Sequence, residues 1–235
     1  MSEKTERFTL KPKWFSYNYL GQYFLYKSLS GAKKYVKGKL LDIGCGNKPY
    51  EQFFSDVVSE YIGVDLQQEV SANELPKKAD IYCDINKGLP FEDETFDTIL
   101  CTEVLEHIPE PDNLIREARR VLKKDEFLII SAPQVWGLHE EPYDFYRYTK
   151  YGLKYLAEKN GFIVEAMSPR GGLWVMVGQR MSSLIHYNYV DGKNIFMKLF
   201  FKTIYIFLGR VCLILDKIYR HRGDTLGNTM VARKK

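Results

Sequence analysis

The sequence predicts a doubly wound α/β fold, in which a mainly parallel sheet carries helices on both faces. Residues 39–46 form a short apolar run that ends in an acid and two glycines, which is typical of a buried strand that turns into a helix. Four further apolar runs follow before residue 132, separated by stretches suited to turns and helices. Strands that alternate with helices indicate a parallel sheet with right-handed crossovers.

The turn after the first run is the most informative element. Gly44 and Gly46 allow positive φ angles and let a ligand approach the backbone, and Pro49 suits the first turn of a helix whose free N–H groups attract anions. A dinucleotide fingerprint would carry a third glycine where Pro49 stands, and a phosphate-binding loop would end in Gly-Lys-Ser or Gly-Lys-Thr. The turn therefore favours a carboxylate or ribose over a diphosphate, with an ordinary turn without a ligand as the alternative.

Acidic residues end the first three apolar runs. Asp42 lies in the first, Asp65 ends the second at 21 residues after Gly44, and Asp84 follows in the third. In a βαβ unit, an acid at the spacing of Asp65 comes within reach of ribose hydroxyls. A single aspartate is more often a helix cap than a ligand, but three at successive strand ends favour one binding site.

The remaining elements complete the sheet and its cover. The fourth to seventh strands are predicted at residues 96–101, 126–131, 162–167 and 228–232. One helix is predicted over residues 113–122, and another from the capping residue Thr149 to the Asn-Gly stop at residues 160–161.

In this order the motifs resemble the class I S-adenosylmethionine (SAM)-dependent methyltransferases of the small-molecule type 11 kind. The residues that carry the resemblance are Leu-Asp-Ile-Gly-Cys-Gly at 41–46, Ile-Gly-Val-Asp at 62–65, Asp-Ile followed by Leu-Pro-Phe-Glu-Asp-Glu-Thr-Phe-Asp within 84–97, and Glu-Val-Leu-Glu-His-Ile at 103–108. The resemblance covers about residues 38–168 and departs at residues 47–49, where many relatives carry a further glycine. It implies a Rossmann-like sheet of seven strands in the order 3-2-1-4-5-7-6, with the last strand antiparallel.

The resemblance also implies SAM as the cofactor and assigns nine residues to it. These residues lie at or beside the ends of the first four strands: Asp42, Gly44, Gly46, Asp65, Leu66, Asp84, Ile85, Cys101 and Thr102. The glycines would pass the methionine part, Asp65 would hold the ribose hydroxyls, and Asp84 with the Ile85 N–H would bind the adenine edge. Asp42 would orient the turn or the amino group, and the end of the fourth strand would line the region near the methyl group.

An acceptor site is predicted in residues 134–149, because ligands bind at the carboxyl ends of parallel strands and this segment is rich in aromatic and charged residues. His139 is the candidate general base, since an imidazole with a pKa near 6.5 can take a proton from a hydroxyl. Glu140 or Asp144 would orient it, and Asp144 is the predicted catalytic partner. Four residues are predicted to bind the acceptor: Trp136, Tyr143, Tyr146 and Arg147. The alternative is that these side chains only hold the segment in place.

The polar residues after the fourth strand form a second group. Glu103, Glu106 and His107 are predicted to support the loop near the cofactor rather than to react. His186 and His221 are given no role. No metal site is predicted, because the histidines and the four cysteines lack metal-ligand spacing, and the cysteines are interpreted as reduced thiols.

Charge and composition divide the chain into parts. Residues 1–37 are predicted as a frayed start followed by an aromatic helical lid, 38–172 as the SAM-binding core, 173–226 as a helical apolar insertion, and 227–235 as the final strand. The ends are basic, with balances of +7 over residues 1–39 and +8 over 193–235, and residues 40–192 have a balance of −11. An acidic core argues against nucleic acid as a partner, because it repels phosphate.

The insertion contains an apolar helix, predicted over residues 194–219. Its longest uncharged run is seven residues, whereas a bilayer span needs about 20. With Lys198, Lys202 and Arg210 it reads as a basic amphipathic helix, so residues 193–222 are predicted to contact a membrane peripherally. A homodimer interface or packing against the sheet is the alternative. Because no signal peptide is recognisable, we expect a cytoplasmic location, including the inner face of the membrane.

The leading functional hypothesis is O-methylation of a small or lipid-linked acceptor, such as a sugar, a glycolipid or a prenylated ring, by in-line methyl transfer. An N- or C-methyltransferase would use the same fold. Two hypotheses come from other classes, an NAD-dependent oxidoreductase and a non-catalytic SAM-binding module at a membrane. Pro49 argues against the first, and the acids at positions 65 and 84 argue against the second.

Overall fold

The structure is a computed structural model, and it describes residues 12–66, 78–190, 193–219 and 223–235. The strands of its sheet are β1 (Gly38–Ile43), β2 (Val58–Asp65), β3 (Ile81–Tyr82), β4 (Phe96–Thr102), β5 (Leu122–Pro133), β6 (Phe162–Pro169) and β7 (Gly227–Lys234). The α-helices are α1 (Tyr19–Ala32), α2 (Glu51–Phe54), α3 (Pro111–Val121), α4 (Lys150–Lys159), α5 (Leu173–Tyr189) and α6 (Ile195–Ile218). Two 3₁₀ turns cover Lys33–Tyr35 and Leu105–His107.

The predicted topology is confirmed. The seven strands lie in the order β3-β2-β1-β4-β5-β7-β6. The pairs from β3 to β5 are parallel, whereas β7 runs antiparallel to both β5 and β6. The carboxyl ends of β1, β2, β3, β4 and β5 therefore meet at one edge of the sheet, and the predicted site residues follow these ends.

Alternating side chains of the central strands build a core on each face of the sheet, as a period of two requires. Leu41 and Ile43 of β1 pack into the cluster that α3 and α4 cover. Leu40 of β1 points to the opposite face and packs with Leu25 and Leu29 of α1. Both faces of the sheet are thus covered, which explains why the strands read as continuous apolar runs rather than alternating ones.

Several predicted boundaries change. The strand expected over residues 79–85 is only the two-residue β3, so Asp84 lies in the turn after it rather than at a strand end. Pro49 was predicted in the first turn of a helix, but α2 begins at Glu51 with Tyr50 as its N-cap. Pro49 therefore belongs to the turn itself. The cap at Thr149 is confirmed, because its hydroxyl accepts a hydrogen bond from the Gly152 N–H at 3.1 Å.

The described part of the predicted N-terminal lid packs on both the sheet and the insertion. The Ser28 hydroxyl of α1 lies 2.8 Å from the Thr229 hydroxyl of β7. At the other end of α1, the Gly21 N–H donates to Gln179 of α5 at 2.9 Å. The predicted frayed start, residues 1–12, lies outside the described residues except for its last member. These contacts hold α1 against β7 and α5, and its role as a lid over the cofactor stays a prediction.

The insertion is a pair of packed helices. Gly178 of α5 makes the close approach possible, since a Cβ there would lie 2.7 Å from the Cβ of Cys212 on α6. Asp216 of α6 accepts the N–H groups of Gly172 and Val175 at the start of α5, at 3.2 and 3.3 Å. No helix in the described part of the chain has the length and low charge that crossing a membrane requires.

Candidate cofactor and acceptor site

The glycine turn, residues 44–49, is fastened to the end of β2 by its backbone. The N–H groups of Gly44 and Cys45 both donate to the Val64 carbonyl, at 2.9 and 3.1 Å. Gly44 has φ +70°, and a Cβ there would lie 2.3 Å from a methyl group of Val104. Gly46 has φ +52°, and a Cβ there would have no atom of the described residues within 4 Å. Gly44 is therefore required by packing, whereas no described residue fills the space beside Gly46, where a ligand has room to lie against the backbone.

Asp65 connects this turn to the next strand. One carboxylate oxygen accepts the Gly46 N–H and the other accepts the Leu66 N–H, both at 2.7 Å. Asp65 is thus positioned by the same backbone that lines the space beside Gly46.

Lys48 stands in the segment where many relatives carry a further glycine, and it adopts the backbone conformation that glycine favours, with φ +53°. Its ammonium group forms ion pairs with Glu51 at 2.7 Å and Asp80 at 2.9 Å. Asp80 also accepts the Gly63 N–H at 2.7 Å. The ion pairs compensate for the backbone cost of a non-glycine residue, which is on the order of 1 kcal/mol. The sequence analysis did not single out Lys48 or Asp80.

Asp42 is almost fully buried, with 1% of its surface exposed. Burial raises its pKa to about 7, although the Tyr61 hydroxyl, which donates to the carboxylate at 2.5 Å, acts in the opposite direction. The nearby Asp65 raises the pKa further, and Lys48 lowers it. Asp42 is therefore poised to ionise near neutral pH, and a cationic group bound beside it would favour the ionised form.

The predicted adenine end is more exposed. Asp84 accepts hydrogen bonds from the backbone and side-chain nitrogens of Asn86, both at 3.1 Å. Partial burial is the largest single influence and raises the pKa of Asp84, but the bonds from Asn86 and the nearby ammonium of Lys87 together outweigh it, so the pKa is lowered. Ile85 is buried in the core, whereas Leu66 is an exposed apolar side chain. Both flank the region where the resemblance expects the adenine ring.

The end of β4 lies between the end of β1, which leads into the glycine turn, and the end of β5, which leads into residues 134–149. Cys101 and Thr102 are buried there. Burial raises the pKa of the Cys101 thiol, and the negative charges of Glu106 and Asp42 raise it further, so the thiol stays protonated. Glu103 has a positive φ of +55°. Its carboxylate accepts a hydrogen bond from the Ser131 hydroxyl at 2.7 Å and forms an ion pair with the buried Arg170 at 2.9 Å. Arg170 was not identified from the sequence.

The acceptor loop, residues 134–149, is organised around a buried ion pair. Asp144 receives two hydrogen bonds from Arg147, at 2.6 and 2.7 Å, which lower its pKa well below the usual range. Arg147 also donates to the carbonyls of Gly137 and Tyr146, at 2.9 and 2.8 Å. All of these contacts of Arg147 are with other residues of the acceptor loop. They agree with the alternative in which the side chains of this loop only hold it in place. An anion-binding role for Arg147 stays a prediction.

His139 is oriented by Asp144, as one of the two predicted arrangements has it. Its backbone N–H donates to Asp144 at 3.0 Å, and its Nδ1 lies 3.3 Å from the same carboxylate and 3.2 Å from the Gly137 carbonyl. Its ring packs edge to face on His107, with the ring centroids 4.7 Å apart. Glu140, the other candidate to orient His139, is exposed.

Glu106 and His107 hold the acceptor loop against the end of β4. The Glu106 carbonyl accepts the N–H groups of Phe145 and Tyr146, at 2.9 and 3.2 Å. The Nδ1 of His107 lies 2.7 Å from the Tyr143 carbonyl. Burial raises the pKa of the Glu106 carboxyl well above its usual range, and the charge of Glu103 adds to this effect.

The aromatic residues of the acceptor loop are spread over its length. Tyr143 is largely exposed, and the Tyr146 hydroxyl donates to the Pro109 carbonyl at 3.0 Å. Trp136 packs under the insertion, where the guanidinium of Arg180 lies 5.9 Å from its ring centre. Of the predicted acceptor-binding residues, Tyr143 and Tyr146 present aromatic surface at the loop. His186 stacks on Tyr17 away from the site, and His221 lies outside the described residues.

A family model described as a methyltransferase domain matches residues 41–130. Among curated proteins, the chain is similar to an uncharacterised protein, MJ1123, of Methanocaldococcus jannaschii, with 38% identity over 122 residues, 50% of this chain and 55% of that protein. It is also similar to the 27-O-demethylrifamycin SV methyltransferase of Amycolatopsis mediterranei, with 34% identity over 111 residues, 40% of each chain. The match spans about half or less of the length of these relatives.

Solved structures agree on the fold. A putative methyltransferase from Bacillus halodurans superposes with a TM-score of 0.54 at 17% identity, covering 88% of this chain and 97% of that one. The matched family region contains the glycine turn, Asp65, Asp84 and the Glu106–His107 pair. In its motif order, its sheet topology and this matched region, the chain is similar to the class I SAM-dependent methyltransferases.

Proposed function

We propose that this protein transfers the methyl group of SAM to an oxygen atom of a small or lipid-linked acceptor. The observation that carries the proposal is the space beside Gly46 that no described residue fills, bordered by a turn that Asp65 ties to β2. This space lies at the sheet edge where parallel strands end, the usual position of ligands in such folds. The acceptor loop follows β5 at the same edge.

The residues around the turn suit the parts of SAM. A carboxylate at the end of the second strand, as Asp65 is, suits the two ribose hydroxyls, and the exposed Leu66 offers apolar surface for the adenine ring. The side chain of Ile85 is buried, so its backbone N–H is the group proposed to reach the adenine edge. Asp42 offers a buried carboxylate, which favours a positively charged group nearby. When bound, SAM supplies a methyl group already activated by the positive charge on its sulfur, so the protein must mainly orient the acceptor and exclude water.

Oxygen as the methylated atom is supported by the acceptor loop. His139 is held by Asp144 through Nδ1, which orients the ring with its other nitrogen available to take a hydroxyl proton. The name of the relative from Amycolatopsis mediterranei also refers to methylation at an oxygen. An amine acceptor would need its proton removed before attack as well, so N-methylation is the second candidate.

The cofactor part of the proposal is tested by calorimetric titration of the purified protein with SAM and, separately, with NAD. We expect SAM to bind and NAD not to bind. Asp65→Asn should weaken SAM binding at least about tenfold, the value of one or two lost charged hydrogen bonds. Asp56→Asn, which changes an exposed acid on the loop before β2, is the matched control. Binding of NAD, or equal SAM affinity of both variants, would contradict the proposal.

The acceptor part is tested with methyl-labelled SAM against lipid, glycan and small-molecule extracts. We expect label in a product that acid or base treatment identifies as an ether or ester, and loss of that label in His139→Asn. Label on nitrogen or carbon would favour the alternatives. Tight SAM binding with no labelled product would favour a non-catalytic SAM-binding module.

We further propose that α6 contacts an anionic membrane surface peripherally. Its side facing away from α5 exposes a continuous apolar stripe, in which Phe196 is 81% and Phe207 70% exposed. Lys202, Arg210 and Lys217 are exposed beside this stripe. A helix with these two properties inserts its apolar face among lipid headgroups, and each basic residue near anionic lipid adds about 1 kcal/mol. Residues 220–222 of the predicted segment lie outside the described residues.

Vesicle sedimentation tests this contact. The protein should pellet with vesicles of phosphatidylcholine and phosphatidylserine, and less so with phosphatidylcholine alone. The double change Phe200→Ser and Phe207→Ser should abolish pelleting, whereas Tyr151→Ser with Tyr155→Ser, two equally exposed aromatics on α4, should not. No pelleting of the unchanged protein, together with self-association that the α6 change removes, would assign the stripe to a homodimer instead.

A further inference from the structure

Three side chains with metal-binding atoms meet beside the acceptor loop. Glu106 and His107 come from the 3₁₀ turn after β4, and His139 comes from the loop itself. One ligand atom from each lies within 4.8 Å of the other two. A cation of ordinary size can therefore contact all three after small side-chain rotations, since metal bonds to nitrogen and oxygen are about 2.0–2.2 Å long.

Both imidazoles are held in the manner of metal ligands. The Nδ1 of His107 lies 2.7 Å from the Tyr143 carbonyl, and the Nδ1 of His139 lies close to the Asp144 carboxylate at 3.3 Å. A histidine that binds a metal usually donates its other ring N–H to a carbonyl or a carboxylate, which fixes the tautomer. In both residues this arrangement places the proton on Nδ1 and leaves the lone pair of Nε2 for a cation.

The carboxylate of the cluster supplies the independent observation. Glu106 is 1% exposed, and its Oε2 is buried with no hydrogen-bond partner. A buried polar oxygen without a partner is costly, and a buried carboxylate without compensation is more so. Glu103, the next carboxylate along, is already paired with Arg170 and hydrogen-bonded to Ser131. The Oε2 atom of Glu106 therefore has no hydrogen-bond partner among the described residues, and a bound cation would compensate its burial.

We propose that Glu106, His107 and His139 bind one divalent transition-metal ion, of the kind that prefers two imidazoles and a carboxylate. Zn²⁺ is the best match, because catalytic zinc sites have three such protein ligands and an open fourth position. Its role rests on the proposed function: the open position receives the acceptor hydroxyl. The ion would lower the pKa of that hydroxyl, so that its proton passes to water and the O–H electron pair stays on oxygen. The oxygen would use this pair to bond the methyl carbon of SAM, while the C–S bond breaks and its electron pair stays on the sulfur.

This proposal changes the role of His139. A nitrogen that is bonded to a metal ion cannot take a proton, so the ligand role and the general-base role exclude each other at Nε2. Asp144 then acts as a positioning residue, which holds the ligating imidazole through Nδ1. The sequence offers no sign of this site, because Glu106 and His107 are adjacent and His139 is 32 residues further on.

The test measures metal binding directly on the full chain, without reference to turnover. Protein stripped by a chelator is titrated with Co²⁺, whose visible absorption reports its coordination, and Zn²⁺ is then added in competition. We expect one equivalent of Co²⁺, displaced by Zn²⁺. Glu106→Gln and His139→Asn should each weaken Co²⁺ binding at least about tenfold. Glu110→Gln, an exposed acid just after the cluster, is the matched control and should bind as the unchanged protein does.

The outcomes are distinguishable from those of the proposed function. Equal Co²⁺ affinity in Glu106→Gln, His139→Asn and Glu110→Gln would overturn the metal site, as would no binding by the unchanged protein. SAM titration of the same samples shows whether the cofactor site is intact, and circular dichroism shows whether each variant folds. If the protein binds SAM but no metal, only the metal-site proposal is contradicted. If it binds the metal but not SAM, only the proposed methyl transfer is contradicted.

Discussion

The cofactor side and the acceptor side of the site are held in place by different forces. On the cofactor side, backbone N–H groups of the glycine turn bond to the Val64 carbonyl and the Asp65 carboxylate. On the acceptor side, the loop is held by the buried pair of Asp144 and Arg147 and by contacts with Glu106. The backbone hydrogen bonds of the cofactor side leave the side of the turn next to Gly46 available for a ligand. The side-chain contacts of the acceptor side allow other residues to replace those of the loop while the sheet stays the same.

This comparison has a physical consequence. Backbone hydrogen bonds depend little on which side chains are present, so the cofactor side is tied to a recognisable motif. A charge pair inside a loop depends on its two side chains alone, and removing one leaves the other without compensation. We therefore expect a substitution on the cofactor side to reduce SAM affinity. A substitution on the acceptor side should reduce the turnover of acceptor and change SAM affinity little. Five variants test this expectation.

The largest expected effect concerns Asp42, through pH. Its folded-state pKa of about 7 exceeds the ordinary aspartate pKa of 3.8, so the folded protein keeps a proton that the unfolded chain loses as the pH rises. The stability that this proton contributes is therefore lost between about pH 4 and pH 7. Asp42→Asn, which keeps an acceptor for the Tyr61 hydroxyl, should exceed the unchanged protein in stability by up to about 4 kcal/mol at pH 8 and by little at pH 4.

Urea unfolding at both pH values measures this difference. The same Asp42→Asn change should weaken SAM binding at pH 8, because the ionised carboxylate attracts the positively charged cofactor. Saturating SAM should therefore narrow the stability gap at pH 8. A gap that is the same at pH 4 and pH 8 would show that Asp42 does not titrate as described.

The next effect tests the acceptor side. Arg147→Met keeps much of the side-chain volume but leaves Asp144, which is 2% exposed, without its partner. Because Arg147 is itself partly exposed, we expect a loss of about 3 kcal/mol, near the low end for a broken buried pair. Turnover of acceptor should fall strongly while the Kd for SAM changes less than about threefold. Urea unfolding and SAM calorimetry measure the two quantities, and a parallel loss of both would contradict the division into two sides.

Gly44→Ala tests the cofactor side. The added Cβ meets Val104 at 2.3 Å and requires φ +70°, so we expect a loss of about 2 kcal/mol with a large loss of SAM affinity. Gly46→Ala is the informative comparison, since its Cβ meets no atom of the described residues within 4 Å. It should cost less stability and still impair SAM binding. Normal SAM binding by Gly46→Ala would show that the cofactor does not occupy the space beside it.

The smallest effect calibrates the others. Thr149→Ala removes the cap of α4 directly after the acceptor loop and should cost about 1 kcal/mol in urea unfolding. We expect SAM affinity and turnover to stay within about twofold of the unchanged protein. If Thr149→Ala and Arg147→Met lost the same amount of turnover for each kcal/mol of unfolding free energy lost, the loss of turnover in Arg147→Met would reflect reduced stability alone.

Local sequence patterns account for much of the fold. The apolar runs around Asp42 and Asp65 identify buried strands because side chains on both faces of a parallel sheet are apolar. The Thr149 cap is recognisable because it depends on residues three apart. The strand order and the antiparallel β7 came from the family resemblance rather than from the pattern. The third strand was overestimated, since only two residues of an apolar run at the sheet edge form ladder bonds.

The sequence by itself determined the parallel sheet, the glycine turn and the acids that follow its strands, because these features depend on periodicity and on neighbours along the chain. Only the tertiary structure decided how the polar groups pair. It placed the Tyr61 hydroxyl on Asp42, closed the acceptor loop with Arg147 on Asp144, and brought His107 against His139. The last of these contacts joins residues far apart in the chain, and burial and charge pairing at a meeting point of several elements leave no periodic trace in a sequence.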